Sequence, residues 1–217
     1  MLYLKFDKKN ILLYAVTDRF WIGKQTFWEQ VEEALKAGVT FLQLREKEME
    51  ECEFLKEAKQ IKVLARKYNV PFVINDNVKI ALESDADGVH VGQSDMRACE
   101  VRALIGAEKI LGVSVQTVMQ AKIAEREGAD YLGVGAMFNT STKTDAAEVS
   151  YRTLKEICAT VSIPVVAIGG ISANNVALLS GSGIAGIAVV SSLFGGNSIY
   201  EAGKKLKKEI EAVVYYE

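Results

Sequence analysis

Residues 43–47 (QLREK) set a carboxamide, a guanidinium and an ammonium on alternate positions, at Gln43, Arg45 and Lys47. In an extended segment alternate positions point the same way. A guanidinium fork beside an ammonium point charge receives phosphate oxygens. The same cations can instead form a surface ladder with Glu46 and Glu48. Two aspartates offer a complementary chemistry. Asp76 follows Asn75, and Asp95 closes the segment 88–95 (GVHVGQSD). Carboxylates after neighbouring strands can share one Mg²⁺, with water and diphosphate oxygens completing its shell. Each can equally cap a helix.

A second anion receiver is written further along. Residues 133–146 (GVGAMFNTSTKTDA) carry the hydroxyls of Thr140, Ser141 and Thr142 and the ammonium of Lys143 in a segment longer than a tight turn needs. Such a segment can fold over an anion. Gly169-Gly170 and Val190-Ser191-Ser192 end two later apolar runs. Glycine admits close backbone approach, and a helix N-terminus favours negative charge. His90 is the only histidine, which excludes a multi-histidine metal centre; between Val89 and Val91 it reads, taken alone, as a core residue. Ser114 taken alone is a loop hydroxyl. There is no G-x-S-x-G elbow and no Walker A segment. Residues 181–186 (GSGIAG) match a dinucleotide-binding spacing, but they follow a helical stretch and enter a strand, the wrong order for that site.

These residues need elements to hold them. Apolar, β-branched runs at 11–17, 39–45, 71–75, 86–91, 109–114, 130–135, 164–169 and 184–190 predict strands. Amphipathic stretches at about 26–37, 51–68, 77–84, 96–105, 117–127, 150–160, 173–180 and 199–212 predict helices, one after each strand. Near-continuous apolar strands joined by helical crossovers mean a parallel sheet covered on both faces. Eight units in 217 residues with no break in composition favour an α/β fold, a (β/α)8 TIM barrel in a single domain 1–217, over a doubly wound open sheet. Residues 1–10 read as an N-terminal extension and 11–212 as the barrel. Pro71 and Pro164 open strands, where a missing N–H is tolerated. Ser172 is expected to cap the helix at 173–180. On 51–68, Leu55, Ala58, Ile61, Leu64, Ala65 and Tyr68 form the inward stripe, with Lys56, Lys59, Lys62 and Lys67 as a solvated face.

Composition narrows the partners. Twenty-six Lys and Arg against 28 Asp and Glu leave a net charge of −2, poor for non-specific nucleic-acid binding. No apolar run is long enough to span a bilayer, and the first ten residues lack a signal-peptide core. Three widely spaced cysteines without a C-x-x-C pair read as reduced thiols. The expectation is a cytoplasmic protein acting on small molecules, without nucleic acid or membrane, as a monomer or small homo-oligomer.

Taken together, YAVTD (14–18), QLREK, IND (74–76), ADGVHVGQSD (86–95), GVS (112–114), TSTK (140–143), AIGGI (167–171) and VVSS (189–192) resemble the thiamin phosphate synthase family across nearly the whole length. The resemblance implies a TIM barrel that joins 4-amino-2-methyl-5-hydroxymethylpyrimidine diphosphate to 4-methyl-5-(2-hydroxyethyl)thiazole phosphate, giving thiamin phosphate and diphosphate. It implies that Gln43 to Lys47 (with Leu44 and Glu46), Asn75, Ser114 and Lys143 hold the pyrimidine diphosphate, with His90 beside the pyrimidine. It implies Asp76 and Asp95 as Mg²⁺ ligands. Thr140, Ser141, Thr142, Gly170, Val190 and Ser191 would hold the thiazole phosphate. Arg45, Lys47, Ser114 and Lys143 would act on the departing diphosphate. The chain departs from the family pattern at Gly135-Ala136 and Asn139, where many relatives have proline, and at Lys79, where aspartate is common. A thiazole tautomerase-like enzyme and a non-catalytic thiazole phosphate-binding regulator are the rival readings. The first needs no Mg²⁺ and the second shows no turnover.

Overall fold

In the computed structural model, which describes residues 6–22, 25–139 and 148–214, the strands close on themselves. The strands are β1 (Leu13–Val16), β2 (Phe41–Leu44), β3 (Phe72–Asn75), β4 (Gly88–Val91), β5 (Ile110–Val115), β6 (Tyr131–Val134), β7 (Val165–Ile168) and β8 (Gly186–Val189). All pair in parallel and in sequence order, and β8 returns to β1. The closed single-domain barrel is thus the architecture, and the open-sheet rival is excluded. Around it run α1 (Phe27–Lys36), α2 (Glu51–Lys67), α3 (Val78–Glu83), α4 (Ala98–Ile105), α5 (Val118–Arg126), α6 (Tyr151–Thr160), α7 (Ser191–Phe194) and α8 (Ile199–Val214).

Alternation along each strand sorts the side chains into two cores. Leu13, Ala15, Leu42, Leu44, Ile74 and Val89 face the helices. Tyr14, Val16, Phe41, Val73, Ile110, Tyr131, Val166 and Ala188 fill the interior. Rings crowd that interior, with the Tyr14 and Phe41 centroids 4.7 Å apart and those of Phe41 and Tyr131 5.5 Å apart. Glycines make the room. A Cβ on Gly112 would stand 2.2 Å from Tyr131 Cζ and 2.4 Å from His90 Nδ1. Any side chain there overpacks the barrel, at a cost of about 1–3 kcal/mol or more.

The N-terminal ends of the strands are tied by side chains. Thr40 Oγ1 accepts from Leu13 N–H, Asp87 from Phe72 N–H and Asp130 from Leu111 N–H. Arg102 donates to the carbonyls of Gly106, Lys109 and Gly128 and to the Asp130 carboxylate.

Three expectations need correction. Over 173–180 only a 3-10 turn forms, Val176–Leu179. Asn175 accepts from Ser172 N–H and donates to the Gly170 carbonyl, and such local bonds compete with a helical ladder. Ser172 therefore shapes a turn and caps no helix. The rule of one helix per strand also fails after β8, where α7 stops at Gly195 and α8 begins at Ile199. Finally, Lys62 does not belong to a solvated face. It is buried, and its ammonium meets the carbonyl and carboxylate of Asp85.

Candidate active site

The C-terminal ends of the strands carry the polar residues, and the chain's local chemistry fixes each one. Gln43, on β2, is buried and donates through Nε2 to the Tyr14 hydroxyl. Leu44 faces the outer core. Arg45 lies just past β2, where its N–H donates to Thr17 Oγ1 at 3.0 Å and its Nη1 to Asp18 Oδ2 at 3.2 Å. Lys47 Nζ lies 3.2 Å from Asp76 Oδ2. The expected common direction of Gln43, Arg45 and Lys47 thus holds only as far as the rim. Gln43 reaches into the barrel, while the two cations reach over its edge to carboxylates on adjacent loops.

Glu46 joins no ladder with its neighbours. Arg19 donates to it through Nε at 2.8 Å and also binds Glu57. Together with Arg45–Asp18, this crosses the loops after β1 and β2 with two ion pairs and holds Arg45 in place. The Glu46 side chain is buried, and its Oε1 has no partner among the described residues. Burial, with Glu57 close by, raises its carboxyl from the ordinary 4.5 to about 7, although Arg19 pulls the other way. The folded protein therefore binds more protons than the unfolded chain between those values. Stability falls as pH rises through that window. Glu46→Gln is expected to flatten the fall, measured as melting temperature against pH; an unchanged slope would show that Glu46 is ionised throughout.

Asp76 and Asp95 come together. Asp76 is not a helix cap; Asn77 caps α3 through its carboxamide. Asp95 caps no helix either, and its Oδ2 accepts from Gly92 N–H at 2.7 Å. Asp76 sits in the left-handed region at φ 59°, turned toward the rim, with Asn75 Nδ2 donating to its Oδ1 at 2.6 Å. Burial and the Asp95 carboxylate hold its carboxyl above the usual range, partly offset by Lys47. Two carboxylates in mutual repulsion could receive a hard divalent cation, and the bond from Asn75 orients one of them. No third metal-ligating side chain joins them among the described residues. Lys79 turns away to Glu51 and does not face the pair.

His90, on β4, points into the barrel. Its Nδ1 is 2.9 Å from the Tyr131 hydroxyl and its Nε2 2.8 Å from Ser114 Oγ. Ser114 is no loop hydroxyl, since β5 continues to Val115. Gly170 follows β7 at φ 64°, and a Cβ there would stand 2.4 Å from the Asn139 carbonyl oxygen. Val190 and Ser191 open α7, and the hydroxyl of Ser192 is buried without a partner among the described residues. Thr140, Ser141, Thr142 and Lys143 lie outside the described residues.

Sequence reasoning missed Thr17 and Asp18 as partners of Arg45, Arg19 as the partner of Glu46, and Tyr14 and Tyr131 as interior partners of Gln43 and His90. The polar start of the loop in YAVTDR was the available signal for the first group. For the tyrosines only their inward parity could have served, and that requires the register.

The chain is similar to known proteins over most of its length. A family model described as thiamine monophosphate synthase matches residues 13–193. A thiamine-phosphate synthase of Ruminiclostridium cellulolyticum is 51% identical over 200 residues, 92% of this chain and 95% of that protein. Another, of Alkaliphilus oremlandii, is 50% identical over 199 residues, with 92% and 95% covered. The solved structure of thiamine phosphate pyrophosphorylase from Pyrococcus furiosus superposes with a TM-score of 0.88 at 37% identity, over 95% of this chain and 98% of that one. The chain belongs to the thiamine monophosphate synthase family.

Proposed function

We propose that the protein is a thiamin phosphate synthase, a transferase that couples the pyrimidine diphosphate to the thiazole phosphate with release of diphosphate. The observation that carries the reading is the meeting of cations and paired carboxylates on one rim, with Lys47 Nζ 3.2 Å from Asp76 Oδ2. In the reaction the bond from the pyrimidine CH₂ to oxygen breaks, and its electron pair leaves with diphosphate. The pyrimidine amino group stabilises the resulting cation, and the thiazole nitrogen attacks it.

Such chemistry asks for charge stabilisation on the leaving group more than for acid–base groups. Arg45 offers a fork, Lys47 a point charge and Ser114 a hydroxyl. Lys143 is assigned to the same group from its place in the sequence. Asp76 and Asp95 would hold Mg²⁺, which supplies charge neutralisation on diphosphate oxygens. Gly170, Val190 and Ser191, with Thr140 to Thr142, would hold the thiazole phosphate through backbone and hydroxyl donors. Closure over both substrates would keep water from the cation.

Cys52, Cys99 and Cys158 form no disulfide with one another, which suits a reducing compartment such as the cytoplasm. Among the described residues no helix is long and apolar enough to cross a membrane.

The test is direct. The protein is incubated with both substrates, with and without Mg²⁺, and thiamin phosphate is read by fluorescence after oxidation. Product only in the presence of Mg²⁺ is expected. Its absence under both conditions would overturn the reading.

A further inference from the structure

A continuous polar chain crosses the barrel interior beneath the rim. It runs from Gln43 on β2 to Tyr14 on β1, to Tyr131 on β6, to His90 on β4 and to Ser114 on β5. The links from Tyr14 to Tyr131, Tyr131 to His90 and His90 to Ser114 measure 2.9, 2.9 and 2.8 Å. Tyr14 and Tyr131 are 2% and 0% exposed, so water does not compete for their hydroxyls. Burial holds both phenols above their ordinary range and keeps them neutral. Gly112 leaves the space in which the Tyr131 and His90 rings meet.

The chain has a direction. Gln43 presents its amide nitrogen, which can only donate, so the Tyr14 oxygen accepts. With that bond made, the order that spends every proton along the chain has Tyr14 donating to Tyr131 and Tyr131 donating to His90 Nδ1. An imidazole that accepts at Nδ1 and stays neutral carries its proton on Nε2. That proton is donated to Ser114 Oγ. The hydroxyl proton of Ser114 is then not spent inside the barrel and is free to point to the mouth.

We propose that Tyr14 and Tyr131 are positioning residues: with Gln43 they impose one proton order, fix His90 as the Nε2–H tautomer, and turn Ser114 into an outward donor for an anionic ligand oxygen. The Ser114 part rests on the diphosphate reading of the site; the tautomer does not. The opposite order would leave the Tyr14 proton unspent unless the Gln43 oxygen faced Tyr14, and it would turn the Ser114 proton inward onto His90.

His90 is the chain's only histidine, so its ring nitrogens give one unambiguous pair of signals. In ¹⁵N-labelled, untagged protein without substrate at neutral pH, a pyridine-type Nδ1 and a pyrrole-type Nε2 are expected. A pyrrole-type Nδ1, or a pair averaged between the two forms, would overturn the proton order whether or not the enzyme turns over. Tyr131→Phe keeps the ring and removes the donor. It is expected to average the two nitrogen signals and to lower kcat roughly three- to tenfold, the worth of one hydrogen bond. In a Ser114→Ala background the same change is expected to cost nothing further in kcat, because the two residues act through one proton. Equal losses in both backgrounds would overturn the positioning role. A failed coupling assay with the expected tautomer would fell the diphosphate reading and leave the proton order standing.

Discussion

Arg45→Ala is expected to lower kcat on the order of 10²–10³, the usual effect of deleting one donor to charge that develops in a transition state. On the proposed reading the diphosphate gains negative charge as its bond to carbon breaks, and the guanidinium fork would meet two of its oxygens at once. Stability is affected much less. The N–H of residue 45 keeps its bond to Thr17, which the substitution leaves intact. The lost pair with Asp18 is partly exposed, and such pairs contribute about 1 kcal/mol. In a chain of this size that is about 2–4 °C of melting temperature. Arg45→Lys should recover only part of the rate, because a point charge lacks the fork. Steady-state kinetics decides the matter: wild-type kcat in the alanine variant would remove Arg45 from the chemistry.

Asp76→Asn is expected to raise the Mg²⁺ concentration for half-maximal turnover about 10–100-fold or more, since losing a partner behind a metal ligand already costs that much. Asparagine is the right probe because residue 76 sits at φ 59°, a conformation that Asp and Asn tolerate and most side chains do not. The variant therefore isolates the charge. It also relieves the repulsion from Asp95, so the fold does not suffer. A Mg²⁺ titration at saturating substrates provides the measurement. An unchanged requirement would leave Asp76 as a partner of Lys47 only.

The barrel was legible because its signals are local. Each strand is a short, largely apolar run, and each longer helix repeats apolar residues on one face. The rim cations and aspartates were legible for the same reason, standing where the runs stop. What escaped depends on closure. Tyr14 and Tyr131 meet across 117 positions, and only the register of eight strands brings their hydroxyls together. Asp18 and Arg19 reach Arg45 and Glu46 over 27 positions, which no short motif records. Lys62 follows helical spacing but is drawn inward by Asp85, a residue on a later loop with φ 53°. At 173–180 the Asn175 side chain binds Ser172 N–H and the Gly170 carbonyl, and these local bonds compete with a helix.

The Arg102 guanidinium, which gathers three carbonyls and the Asp130 carboxylate, lies at the end of the barrel away from the rim. A cluster that ties the chain together is thereby lodged at the pole opposite the polar rim. Descendants of the chain can trade side chains around the opening, and so drift toward other phosphorylated heterocycles, while drawing on a reserve kept at the opposite pole.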